Sequence, residues 1–294
     1  MDVFFALITA VAYGCDYYFI RKGLLTDPYP LLATFITLTV NFSFFLILFF
    51  VYVPAELLKW RLLYPFVAAG ILAPGCARIF SYKGLEHLGM SISAPIINAE
   101  TLFSVLMAIV FLNEKINIFI VLGIFCVITG LSMLSYEMGR ENGRKKIGKL
   151  NYLYLLYPLT AAMFYGISVF FRKFGLVATG SPILGATVTA GTSWCVLTFL
   201  LMRRERVRGL INIGKKGLTY FVMGGAMTCV AWLSFFSALN IGRVTLVAPI
   251  ASSYSLVTMF LSYVFLRNVE RITITTVVAT GFVVGGIVLL IVGR

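Results

Sequence analysis

The sequence predicts an all-α, polytopic membrane protein of ten transmembrane helices, arranged as two inverted five-helix repeats. Composition, ten apolar stretches and an internal duplication each support this prediction. Hydrophobic residues make up 60% of the 294 residues, charged residues only 12%, and the mean hydropathy is +0.97. Soluble domains carry about a quarter charged residues. A chain this apolar cannot cover a water-facing surface, so its expected solvent is lipid.

Polar breaks divide the chain into stretches of the length that a membrane-spanning helix requires, about 20 residues. Backbone polar groups cannot stay unpaired in lipid, and the alternating pattern of a membrane barrel is absent, so we expect helices. The predicted spans lie near residues 3–20, 31–53, 63–82, 91–112, 116–135, 152–171, 182–202, 218–239, 244–266 and 272–292.

Two sequence motifs recur at nearly the same offset. The first-span motif YGCDYYFIRKGL, which begins at Tyr13, returns 152 residues later as YGISVFFRKFGL, which begins at Tyr165. Ala-Pro-Ile around Pro95 returns 154 residues later around Pro249. Such paired offsets indicate a duplication.

The duplication predicts a first repeat at 1–138, a basic linker at 139–151 and a second repeat at 152–294. Since each repeat has an odd number of spans, the second copy enters the membrane from the opposite side. Inverted repeats of this kind underlie alternating access in many secondary transporters, which place the substrate site near the bilayer midplane.

The motifs shared by both repeats resemble those of the EamA-type drug/metabolite transporter superfamily. They are a small residue followed by Pro in spans four and nine, a Phe-Leu pair near the end of each of these spans that is followed by Glu114 or Glu270, and a glycine-rich helix as the next span. The glycines are Gly123, Gly130, Gly281, Gly285 and Gly286. The resemblance implies a multi-pass protein of a prokaryotic cytoplasmic membrane that moves small metabolites, often outward, without ATP. No cofactor is expected.

The orientation of the chain stays open. Sixteen Lys and Arg residues fall in the breaks after odd-numbered spans, and seven fall on the other side. Basic loops stay in the cytoplasm, so this count places both chain ends outside. The resemblance implies both ends inside.

Three ionisable residues fall inside predicted spans: Asp16, Arg78 and Glu100. An Asp, Lys or Arg at the centre of a membrane helix costs about 2.5–3.5 kcal/mol before pairing. Such residues are functional candidates: Arg78 can hold a substrate carboxylate in its planar donor fork, while a carboxylate takes an amine or a coupling proton. The alternative is an internal ion pair of Arg78 with Asp16 or Glu100 that fixes helix packing.

Span four offers a second polar candidate, Asn98. Asn98 and Glu100 lie roughly 200° apart around a helix, so they cannot both point into one cavity. Pro95 and Pro249 each free a helix carbonyl, which predicts hinges or carbonyl ligands beside the site; the alternative is a packing kink.

Four aromatic residues are further candidates: Tyr13, Tyr165, Trp232 and Tyr254. Tyr254 is the repeat mate of Glu100. Four basic residues at predicted span ends are interpreted as anchors that reach the membrane surface, namely Arg21, Lys22, Arg172 and Lys173.

These features predict a secondary transporter, exporting small polar metabolites such as amino acids or organic anions, either proton-coupled or facilitative. The alternatives are an exporter of cationic drugs or polyamine-like solutes, and an intramembrane enzyme. A single histidine, His87, and the absence of a Gly-x-Ser-x-Gly motif disfavour the enzyme. The expected partners are a small-molecule substrate, membrane lipid and a coupling proton, with no nucleic acid, no metal, and a monomeric or homodimeric assembly.

Overall fold

A computed structural model describes residues 1–88, 93, 96–115, 117–141, 152–202, 213–265 and 274–293, and it shows no strand among them. A π-helical segment, Ile71–Cys76, joins the third and fourth helices. The helices are α1 (Asp2–Thr26), α2 (Pro30–Tyr52), α3 (Trp60–Gly70), α4 (Ala77–Leu88), α5 (Glu100–Leu112), α6 (Ile118–Glu141), α7 (Leu156–Thr179), α8 (Pro182–Met202), α9 (Lys215–Ile241), α10 (Val244–Ser252), α11 (Tyr254–Phe265) and α12 (Ile274–Val292).

Helix length and composition match the ten predicted spans. Six helical stretches are long and apolar enough to cross a membrane, and four shorter apolar helices provide the rest. The third span consists of α3, the π-helical segment and α4, and the ninth consists of α10 and α11. The predicted all-α fold of ten spans is therefore confirmed.

Several helices run well past their predicted ends. The first span continues to Thr26 and the sixth to Thr179, where Gly180 stops the helix in a left-handed conformation with φ of 60°. Both helices carry their basic residues inside the helix instead of beyond it. Helix α6 continues to Glu141, and residues 142–151 of the predicted linker lie outside the described residues.

Helix packing follows the duplication. Helix α1 contacts α9 and α11, and its repeat mate α7 contacts α3, α4 and α5, which are the corresponding elements of the other half. Helices α2 and α8 pack against each other, as do α6 and α12, so each of these spans pairs with its own mate. This exchange of partners is the pattern expected of two inverted halves related by a two-fold axis in the membrane plane.

The glycine-rich motif lets α6 and α12 touch backbone to backbone. A methyl group at Gly123 would lie 2.9 Å from the Gly286 carbonyl oxygen, and one at Gly286 would lie 2.7 Å from the Gly123 carbonyl oxygen. Small residues at helix contacts are how membrane helices gain packing energy without a hydrophobic driving force.

Candidate functional site

Spans four and nine are interrupted at equivalent positions. The Ala99 N–H donates to the Ile96 carbonyl oxygen at 3.1 Å, and 154 residues later the Ser253 N–H donates to the Ile250 carbonyl oxygen at 3.1 Å. After each of these turns a new helix begins, α5 and α11. At both turns the backbone stays near the right-handed helical region, with φ of −63° at Ala99 and −69° at Ser253, so each span is kinked inside the bundle.

One predicted hinge proline, Pro249, lies just before the interruption of span nine. It is buried inside α10, whose helical run ends at Ser252, while Pro95 lies outside the described residues. The Thr101 and Ser252 hydroxyls are 3.0 Å apart and join the two interrupted spans. The hinge role of both prolines stays a prediction.

Asp16 and Arg78 lie near each other in the first half. Asp16 is only 6% exposed, and its Oδ1 atom accepts no hydrogen bond from the described residues. The Asp16 carboxylate interacts electrostatically with Arg78, and the Thr228 hydroxyl of α9 is its hydrogen-bond neighbour. Arg78 donates from Nη1 to the Thr34 hydroxyl at 2.9 Å. The carboxylate is thus buried with acceptor capacity to spare.

The interpretation of Arg172 as an anchor at the membrane surface is wrong. The side chain is buried, with 7% exposure, because α7 continues past it and turns it toward the other half. Its Nη2 atom donates at 2.9 Å to the carbonyl of Ala73, a residue with extended backbone at the break in span three. The guanidinium carbon lies 5.0 Å from the Trp232 ring centroid and 5.6 Å from that of Phe236.

Glu100 faces Arg172 across the two halves. The two side chains interact electrostatically, yet no ion-pair contact joins them among the described residues. Glu100 is half-buried at the first turn of α5. Ser168, the repeat mate of Asp16, donates to the carbonyls of Ala69 and Ala73 at 3.0 and 3.3 Å, so the second half uses this position to hold the same break.

A tyrosine cluster lies beside these charges. Tyr17 stacks on Tyr254 with ring centroids 4.8 Å apart and planes 6° apart, and Tyr13 lies 5.9 Å from Tyr254. Tyr17 also interacts electrostatically with Tyr165 and Arg78, which places it toward the bundle interior. Its exposed fraction is nevertheless 42%.

Asn98 and Glu100 point to different neighbours, as helix geometry requires. The Asn98 amide donates to the Leu131 carbonyl oxygen of α6 at 3.2 Å, whereas Glu100 faces Arg172 and the tyrosine cluster. The structure thus brings together Tyr13, Asp16, Arg78, Glu100, Tyr165, Trp232 and Tyr254, and it directs the Asn98 amide nitrogen toward α6.

Sequence reasoning missed two residues of the site, Tyr17 and Arg172. Both lie inside the recurring motif that begins at Tyr13 and Tyr165, so the repeat itself held the signal. Tyr165, Ser168 and Arg172 are three and four residues apart, which puts them on one helix face.

The other basic residues in the motif bind protein groups. The Lys173 ammonium donates to two backbone carbonyls of the second half, and Lys22 lies 5.2 Å from the Tyr220 ring centroid.

Comparisons with known proteins identify a family and a similar fold. A model of the EamA-like transporter family matches residues 1–136 and 152–292. No curated protein gives a significant match. A solved structure, titled "Crystal structure of protein", is similar with a TM-score of 0.78 at 15% identity, and the match covers 98% of this chain and 96% of that chain. At that identity the likeness shows the fold alone.

Proposed function

Because the chain belongs to the EamA-like transporter family, we propose that it is a secondary transporter that exports small polar metabolites, such as amino acids or organic anions, by alternating access. Family membership makes it a multi-pass membrane transporter of the drug/metabolite type. The proposal adds the substrate class, the outward direction, the mechanism and a location in the cytoplasmic membrane.

The observation that carries the proposal is a pair of carboxylate–guanidinium couples beside the two helix interruptions. Asp16 is coupled to Arg78, and Glu100 is coupled to Arg172. A substrate carboxylate matches the donor fork of a guanidinium. A substrate ammonium in turn matches a buried carboxylate such as Asp16, which has an unused acceptor.

Substrate binding would also lower the cost of burying these charges. An uncompensated charge in a low-dielectric site is expensive, and a zwitterion placed between the couples supplies the missing partners. Glu100 belongs to the first half and Arg172 to the second. A solute that contacts both therefore draws the halves together, which is how binding can drive closure and exposure on the other side.

Proteoliposome flux measurements test this proposal. We expect the wild-type protein to move one or more members of a panel of amino acids and organic acids. Arg78→Ala and Glu100→Gln should each lower kcat/KM at least tenfold, equivalent to about 1.4 kcal/mol. Arg61→Ala, at an exposed arginine of α3, is the matched control and should leave flux unchanged. No flux of any charged or zwitterionic solute through the wild-type protein would contradict the proposal.

A cationic-drug or polyamine exporter is the second candidate. The buried Asp16 and the half-buried Glu100 beside a tyrosine cluster also suit an organic cation, because aromatic faces attract cations. The two functions separate in one variant. If Arg78→Ala abolishes flux of anions and zwitterions, the first proposal stands; if cations are carried and this variant spares their flux, the second replaces it.

A further inference from the structure

Glu114 links the two halves at one membrane face. It follows span four, two residues after the Phe-Leu pair that both repeats share. Its carboxylate caps the first turn of α10 in the second half. The Val244 N–H donates to Oε1 at 2.8 Å and the Thr245 N–H donates to Oε2 at 3.0 Å. A carboxylate at a helix N-terminus satisfies otherwise unpaired N–H groups and complements the helix dipole.

Lys173 holds the other side of the same short connection. Its ammonium donates to the Leu239 carbonyl at 2.7 Å and to the Gly242 carbonyl at 2.8 Å, at the end of α9. Lys173 and Glu114 also interact electrostatically. The break between α9 and α10 is therefore held by a cation from α7 and an anion from the loop that follows α5.

The topology places these contacts at the face where α1 begins, here called the terminal face. Helices α5, α7 and α9 end at this face, because each belongs to an even-numbered span. Helix α12 ends there as well, and the Asn117 amide donates to the Gly293 carbonyl oxygen at 2.8 Å. Asp2 at the start of α1 packs against Gly242. The terminal face is thus bound together around the α9–α10 break.

We propose that Glu114 is a latch that keeps the terminal face closed, and that this face opens when the N-terminus of α10 separates from the Glu114 carboxylate. The inference rests on the proposed function, because alternating access requires each face to open in turn. Glu114 lies in the first half and α10 in the second, so a relative movement of the halves breaks these two hydrogen bonds. A helix cap is weak enough to break and reform during a transport cycle.

Cysteine accessibility tests the latch without knowledge of the substrate. The five native cysteines are replaced by alanine, and Thr245→Cys is introduced as a reporter under the latch, where the side chain is fully buried. A membrane-impermeant maleimide is applied to protein in nanodiscs. Glu114→Gln removes the charge and one of the two acceptors. We expect it to raise the labelling rate about two- to thirty-fold, the range expected for loss of a helix cap.

Two controls make the result specific. Glu56→Gln changes an exposed acid at the same face and should leave the labelling rate unchanged. A second reporter, Ala33→Cys, is buried at the start of α2 near the opposite face and detects general loosening. Faster labelling at Thr245→Cys alone supports the latch.

Equal rates in Glu114→Gln and Glu56→Gln overturn the latch, as does parallel acceleration at both reporters. Neither result touches the proposed function, which depends on proteoliposome flux. Conversely, a wild-type protein without flux overturns the proposed function, but the labelling rates still test the latch.

Discussion

Replacing Arg172 by methionine removes the buried guanidinium that holds the break in span three. The variant loses a charged hydrogen bond to Ala73, for which about 1.5–3 kcal/mol is typical. It also loses a desolvated cation–π contact with Trp232, worth up to about 2 kcal/mol. Relief from burying a charge offsets part of this loss. We expect a net fall of about 2–3 kcal/mol in the free energy of unfolding.

Thermal unfolding in detergent, followed by tryptophan fluorescence, measures this effect. A loss of that size lowers Tm by roughly 3–5 °C. Arg61→Met removes an exposed arginine and serves as the control, with an expected change near zero. An unchanged or raised Tm in Arg172→Met would refute the reasoning, because the desolvation cost would then exceed everything the side chain contributes.

A double-mutant cycle tests whether Arg172 of the second half stabilises Glu100 of the first half. If Arg172 compensates the charge of Glu100, Glu100→Gln destabilises the wild-type protein more than it destabilises Arg172→Met. A coupling of about 0.5–3 kcal/mol is expected for residues that interact directly. A coupling of zero would show that the two charges act independently.

Three further substitutions test helix packing, a hydrogen bond from a side chain to the backbone, and contact with the substrate. Gly166→Val should sharply reduce the yield of monodisperse protein, because a methyl group there would lie 2.8 Å from the Glu100 carbonyl oxygen; Gly281→Val, with open space around it, is the control. Ser193→Ala should lower stability by about 1 kcal/mol in thermal melts, because its hydroxyl donates to the Gly70 carbonyl at 2.9 Å. Tyr254→Leu should raise the transport KM about tenfold with little change in Tm, and an unchanged KM would remove the tyrosine cluster from the site.

The fold was predictable because lipid leaves few choices. The apolar composition predicts that the chain lies in lipid, and in lipid the backbone must form helices. The motif offsets indicate a duplication in which each copy has an odd number of spans. Pro95 and Pro249 indicated the interruptions of spans four and nine. The break at Ala73 also has a local signal, because Pro74 and Gly75 follow it and the residue before a proline avoids the helical region. Local sequence does not show that Ser168 and Arg172, about a hundred residues away, bind its carbonyl.

The candidate site was only partly predictable, for a related reason. Asp16 and Glu100 stand out because they interrupt apolar stretches. Arg172 is followed directly by Lys173, and such a basic pair normally marks the end of a span. Only the protein partners of both side chains, Ala73 and Trp232 for Arg172 and the α9 carbonyls for Lys173, allow α7 to continue past them. Those partners are a tertiary property that local sequence cannot show.

The break in span three has no counterpart in the second half, where α9 runs unbroken from Lys215 to Ile241. Two identical halves would exchange shapes to give inward-facing and outward-facing forms of equal energy. Here one half contains a bent span held by Arg172, and the other a continuous helix. Under the proposed alternating access, the two forms would therefore differ in energy, and the empty protein would favour one side of the membrane.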